Sequence, residues 1–289
     1  MSESAISSGP AGWTLIGVDF TSAPRRQKPI TAAIGHLNGD TLVLERVEAL
    51  PDWPGFEALL ARPGPWLGAF DFPFGLPREA VVDLGWPQDW PALVRHCAAL
   101  GREGFRAALD AYRESRPVGR RYAHRATDLP ARSHSPLKLV NPPVGLMFLE
   151  GAPRLLAAGV TVAGILEADP QRIALEAYPG LLARSITAAP YKSDDKAKQT
   201  TARRDSREAI LRALLASGTS SRPTLAGPEA LLARLIDDAS GDHLDATLAL
   251  VQAATALRAG APNFGLPDKV DRLEGWIAGA RAALSSIHV

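Results

Sequence analysis

The sequence predicts an α/β protein built on a partly parallel sheet. Three observations carry this. Short apolar, β-branched runs recur along the chain, and stretches of helical spacing separate them. A turn signal after the second run pairs two of them as a hairpin, which adds an antiparallel edge. The 289 residues are 46% hydrophobic and 22% charged. At roughly 150 residues per domain they suit one large domain or two small ones, with enough chain to bury a core unaided. These fractions exclude a disordered chain and a fibre. The single Cys97 excludes an internal disulfide framework and a cysteine-rich zinc site.

Residues 1–12 (MSESAISSGPAG) lack the basic start and apolar middle of a signal peptide. They are expected to be disordered ahead of a single domain over 13–289. Residues 13–19 (WTLIGVD) read as a buried strand ended by an acid. Residues 29–37 and 41–47 read as two more strands, with Asn38-Gly39-Asp40 as the turn between them. Residues 54–61 suit a short helix, and 66–72 (WLGAFDF) another buried strand, stopped by Pro73. Residues 93–112 have helical spacing and place Leu93, Cys97, Leu100 and Phe105 toward a core.

Residues 113–143 are basic and rich in Pro and Ser, and read as a loop within a larger insertion over about 78–170. Residues 155–158 look helical. Residues 172–178 (RIALEAY) form a strand that Pro179-Gly180 ends. Helices are predicted at 205–216, 228–238 and 242–257, and a mixed final stretch, strand or helix, at 271–286. Thr247, Gln252 and Thr255 interrupt the most apolar of these helices, so it does not suit a bilayer. A soluble, cytoplasmic protein with no membrane partner is the expectation.

Net charge is +1, but it is unevenly spread. Residues 113–138 carry a net +5 and residues 191–212 a net +3, which leaves −7 for the rest. Segregated positive charge suits a polyanion, with nucleic acid as the expected partner, or else solvated loops and helix faces.

The acids are placed with more information. Asp19, Asp71 and Glu176 fall at or near the downstream ends of strand-like runs. A buried carboxylate there is costly unless paired or metal-bound. In α/β sheets, sites gather at the carboxyl ends of strands. Asp242 and Asp245, spaced i, i+3 at a helix start, share one face. Asp242 also suits a plain cap. Hard oxygen donors without Cys and with few His suit Mg²⁺ or Mn²⁺. Two such ions about 4 Å apart can drive phosphodiester hydrolysis.

The pieces at 17–24 (GVDFTSAP), 70–77 (FDFPFGLP), 176–180 (EAYPG), 242–250 (DHLDATLAL) and 274–277 (EGWI) resemble the family labelled domain of unknown function 429. That family is regarded as a predicted nuclease with a ribonuclease-H-like fold. The resemblance spans roughly residues 13–278. It implies a mixed five-stranded sheet with flanking helices. It also implies acids at the first strand, the end of the fourth strand and the last helix, places that Asp19, Asp71 and Asp242/Asp245 match. Glu176 matches the family's own motif. The helix start is similar to that of Holliday-junction resolvases, which makes a homodimer a state to check.

The resulting expectation is a metal-dependent nuclease. Asp19, Asp71, Asp242 and Asp245 would bind Mg²⁺ or Mn²⁺, and Glu176 would complete the catalytic set. Ser22, Arg120, Arg121 and Lys192 are the candidate substrate contacts. Arg120 and Arg121, with Tyr122 and His124, suit a phosphate backbone and a stacked base, or else a surface loop. Glu57 and His243 read as exposed or capping residues, and Trp53, Trp66, Trp86, Trp90 and Trp276 as packing. No G-x-x-x-x-G-K-S/T or G-x-S-x-G segment occurs, which argues against a P-loop or serine-hydrolase site. Two alternatives remain beside the nuclease: a non-catalytic nucleic-acid or protein binder on the same fold, and a hydrolase of small phosphoesters.

Overall fold

The structure is a computed structural model that describes residues 12–216 and 222–281. The expected disorder of 1–12 and the end of the 271–286 stretch therefore lie, apart from Gly12 and 271–281, outside the described residues.

β1 (Thr14–Asp19) sends Ile16 and Val18 into the core on one face and Leu15 into the core on the other. This is the period-two pattern of a strand covered on both sides. β2 (Ile30–Asn38) and β3 (Thr41–Leu50) form the expected antiparallel hairpin. After α1 (Trp53–Leu60), β4 (Trp66–Phe70) returns parallel to β1. Then come α2 (Arg78–Asp83), α3 (Trp90–Glu114), α4 (Asp128–Ala131), α5 (Val144–Ala158) and β5 (Val160–Val162). The chain continues through β6 (Asp169–Glu176), α6 (Pro179–Ile186), α7 (Thr201–Leu215), β7 (Thr224–Ala226), α8 (Glu229–Asp237) and α9 (Asp242–Ala259).

Among the described residues the strands make one mixed sheet of seven, in the order β5-β6-β4-β1-β2-β3-β7. The expected five strands are thus extended by one at each edge. β5 and β7 are three residues long, too short to show a period in sequence. Residues 271–281 form no strand; they meet the backbone of the sheet at an isolated bridge, Ile277 with Glu176, and pack Trp276 and Ile277 into its core.

The insertion over 78–170 is mainly helical. α3 and α5 pack on each other, and Leu93, Phe105 and Phe148 join the same core as Ile16 and Phe70. Cys97 is buried there, as expected. Its stretch 113–143 takes in the last two residues of α3 and the one-turn α4 and is otherwise irregular. No helix among the described residues is long and apolar enough to cross a membrane.

The opposite face is covered by α9, which is buried almost all round and lies across β1, β2 and β4. Gly17 permits this. A Cβ at Gly17 would stand 2.1 Å from the Leu250 nitrogen and 2.2 Å from the Ala246 oxygen. A glycine inside a strand marks such close backbone approach. Here it lets the first turns of α9 lie directly on the strand that ends in Asp19. The polar Gln252 of α9 is also accounted for: it accepts from the Tyr178 nitrogen (3.2 Å) and donates to the Ala278 oxygen (2.9 Å).

Candidate active site

Three parallel strands end side by side. Val18 of β1 pairs with Phe70 of β4, and Phe70 pairs with Glu176 of β6. The pairing runs one residue further, since the Asp71 nitrogen donates to the Val18 oxygen (2.9 Å) and the Ala177 nitrogen to the Phe70 oxygen (2.9 Å). Asp19, Asp71 and Glu176 therefore line one edge of the sheet. α9 begins at the same edge with Asp242 and Asp245, both buried.

These carboxylates are not equally satisfied. Asp245 accepts from the Tyr191 hydroxyl (2.6 Å) and is ion-paired with Lys192. Asp242 accepts from Lys28 Nζ at 2.8 and 3.1 Å, and the same ammonium reaches Asp194 (2.8 Å). Neither the Asp19 nor the Asp71 carboxylate accepts a hydrogen bond from any described residue. Burial, and then the charges of Asp245, Asp242 and Asp71, push the Asp19 carboxyl well above its ordinary range. Burial, with Asp245 and Glu176 nearby, pushes Asp71 up to about 7. Lys192 relieves both in part. Loss of hydration opposes its own charge, but Asp245, Tyr191, Asp19 and Asp71 hold its ammonium protonated well above the usual lysine range. Four carboxylates thus face two ammonium groups.

Lys192 reaches this position because residue 241 is glycine. Gly241 has φ 81°, and a Cβ there would stand 2.6 Å from the Lys192 Cβ. The left-handed turn and the missing side chain together admit the lysine against the start of α9.

Glu176 has a different environment. Arg125 grips both of its oxygens (2.7 and 2.8 Å), and the Phe74 nitrogen donates to it (2.9 Å). Arg125 also pairs with Asp128 (2.9 Å) and donates to the Glu274 oxygen (2.9 Å). The Glu274 carboxylate accepts from the Arg78 and Ala126 nitrogens (2.8 Å each), and Thr127 accepts from the Ile277 nitrogen (3.0 Å). This buried network ties the irregular stretch after α3 to the end of β6 and to the 274–277 segment. Burial raises the Glu176 carboxyl and Arg125 opposes that rise.

A cleft of about 670 Å³ opens over the carboxylates. Asp19, Asp71, Asp242, Glu176, Ser22, Lys28 and Lys192 all line it, so it gathers most of the residues expected from the sequence. Asp245 lies beneath, fully buried. Arg120 and Arg121 are exposed on the loop after α3 and do not line it. His243 is turned to Asp238 (2.8 Å) and Arg234 (3.2 Å). Glu57 is exposed and meets Arg154 (3.2 Å). Sequence reasoning missed Lys28, Arg125 and Arg184, which also line the cleft. It also missed the placing role of Gly17, although a glycine within a strand-like run is itself a signal.

Among the described residues no three His, Cys, Asp or Glu side chains form a ready cage for a metal ion. The donor chemistry nevertheless fits a hard divalent cation. Asp19 and Asp71 are oxygen donors on adjoining strand ends, without protein hydrogen bonds, and neighbouring negative charge raises both. Asp242 and Asp245 already hold lysine ammonium groups.

The family described as "Protein of unknown function (DUF429)" matches residues 17–271. No curated protein and no solved structure matches the chain.

Proposed function

The chain belongs to the DUF429 family of unknown function, and on that premise we propose that it is a metal-dependent nuclease with a ribonuclease-H-like core. The carrying observation is the convergence of Asp19, Asp71, Asp242 and Asp245 at the carboxyl end of parallel strands, where Lys28 pairs with Asp242 and Lys192 with Asp245. Support for the core comes from its five central strands, β3-β2-β1-β4-β6. In chain order an acid ends the first strand, another follows the fourth, and two lie in the first turn of the last helix.

Asp19 and Asp71 would hold Mg²⁺ or Mn²⁺, with Asp245 and Asp242 adjoining. Such a cation supplies a nucleophile at neutral pH and offsets charge on the phosphate. The chain's own groups do the rest. Lys28 and Lys192 bring positive charge to the phosphate. Ser22 offers a hydroxyl on the same wall. In the reaction a water oxygen bonds to phosphorus, the ester P–O bond breaks, and the leaving oxygen takes a proton. Glu176 serves by holding Arg125 and the loop behind it, so it acts as a positioning residue.

The cleft volume supports a second reading. About 670 Å³ lies within the roughly 300–1,000 Å³ of small-molecule sites, so a small phosphoester is the alternative substrate. A non-catalytic binder is the other alternative.

The test is cleavage of single strands, duplexes, an RNA–DNA hybrid, a four-way junction and a mononucleotide ester, with Mg²⁺ or Mn²⁺ and beside Asp19→Asn. Cleavage of a polymer that chelator and the variant abolish is the expected result. Full activity in Asp19→Asn would end the proposal. Cleavage of the mononucleotide ester alone would favour the second reading, and salt-sensitive binding without cleavage the binder. A cytoplasmic location and a homodimer accompany the proposal, the latter read by sedimentation.

A further inference from the structure

A second cavity, of about 230 Å³, lies outside the carboxylate cleft. Its walls are Tyr122, His124, His134, Ser135 and Lys138, all from the irregular stretch between α3 and α5. His134 lines both cavities, so the two adjoin at this side chain. Their chemistry differs. The first sets five carboxylates against four lysine and arginine side chains. The second has no carboxylate in its lining, and its titratable groups are two imidazoles, an ammonium and a phenol. The positive character extends across the boundary, because Lys138, Arg184 and His124 all act on His134. Partial burial first, and then these charges, hold it below the ordinary imidazole value.

The walls are braced. Ser135 is buried. Its hydroxyl donates to the Ala123 oxygen and accepts from the Leu137 nitrogen (3.1 Å). That fixes the backbone beside His124, His134 and Lys138. Tyr122 is held by Arg113, which donates to its hydroxyl (2.8 Å) and lies 5.4 Å from its ring centroid. A fixed, partly exposed ring beside cations is the form of a platform for an unpaired base. Behind this stretch the Arg125 network anchors it to the sheet edge that carries the acids.

We propose that this pocket is a second phosphate subsite, which takes a backbone phosphate near the bond cleaved in the carboxylate cleft while Tyr122 stacks an adjacent unpaired base. The proposal rests on the nuclease reading and narrows its substrate to a strand with at least two phosphates and a single-stranded segment. A mononucleotide could not occupy both sites.

The test is binding of a labelled single-stranded oligonucleotide across a salt series, with calcium in place of magnesium to hold the strand uncut. A matched set carries one neutral methylphosphonate linkage at each position in turn. One internal position is expected to cost the parent about tenfold in affinity, the scale of one charge-assisted contact. Lys138→Ala and His124→Ala should bind the normal strand about tenfold more weakly. They should lose no further affinity when that linkage is neutral. The salt slope of Lys138→Ala should fall by about 0.7, one phosphate contact to a single strand, and Lys138→Arg should retain the parent slope. Circular dichroism confirms that each variant is folded. Parent-like affinity and slope in Lys138→Ala, or an unchanged methylphosphonate penalty in both variants, overturns the subsite and leaves the nuclease standing. Failure of the parent to bind any strand overturns the subsite. If the parent also cuts no polymer, the nuclease reading falls separately.

Discussion

Two acidic groups meet at one edge of the sheet, and they are held in opposite ways. Glu176, Asp128 and Glu274 surround Arg125, and their oxygens are taken up by its guanidinium and by backbone nitrogens. Asp19 and Asp71 lie on the neighbouring strand ends with no hydrogen-bond donor among the described residues, and lysines meet only the acids beside them. Acidity at a strand end is thus not one signal. A filled group fixes the chain, and an open group, on the proposed reading, would take an outside cation. The difference lies in the partner rather than in the carboxylate.

The largest effect should come from the open group. Asp19→Asn should lower metal-dependent cleavage by about a thousandfold, equal to roughly 4 kcal/mol of transition-state stabilisation, measured as kcat/KM. Its melting temperature should hold or rise, because a repelled buried charge is removed. In the filled group the sign reverses. Arg125→Met strands two buried carboxylates and should cost about 3–5 kcal/mol in denaturant unfolding. Adding Glu176→Gln to Arg125→Met should recover part of that loss. Equal destabilisation by Asp19→Asn and Arg125→Met would erase the comparison.

The pH dependence of stability separates the groups more finely. The Asp71 carboxyl rises from 3.8 to about 7 in the folded protein, and Asp19 rises too. The folded state therefore binds more protons than the unfolded one across that window, so stability should fall as pH rises from about 4 to about 7. Glu176 is raised too and adds to this fall, whereas the lowered His134 opposes it; the raised lysines act only at high pH, and the lowered Asp238, held down by His243 and Ser240, only below pH 3.8. Asp71→Asn should flatten the slope, and Mg²⁺ should flatten it by favouring the ionised carboxylates. Unfolding curves from pH 4.5 to 8 read this directly, and a metal-free protein that gains stability toward pH 7 would break the account. The smallest effect is expected at the exposed Arg120 and Arg121. Alanine at either should move stability by no more than about 0.5 kcal/mol, read from the denaturant midpoint.

The five central strands were legible because each has a local mark: the apolar run of β1 ends in an acid, Asn38-Gly39-Asp40 turns the hairpin, and Pro73 and Pro179 stop the next two. β5 and β7 were not, since three residues show no period. α6 was hidden because Pro179-Gly180 reads as a stop, whereas proline here serves as the first helical residue. At the site, Asp19, Asp71, Asp242 and Asp245 could be placed from strand ends and helix spacing. Arg125 could not be told from Arg120 and Arg121 in a basic loop. Its role depends on Glu176, 51 residues away, a pairing that tertiary structure alone creates. Lys28 was silent for the same reason, its partner Asp242 lying 214 residues on.

The most direct measurement is calorimetric titration with Mn²⁺ of the parent, Asp19→Asn, Asp71→Asn and Glu176→Gln, each first shown to be folded. The account predicts uptake by the parent, loss in both aspartate variants, and retention in Glu176→Gln. No uptake by the parent, or equal loss in Glu176→Gln, would contradict it.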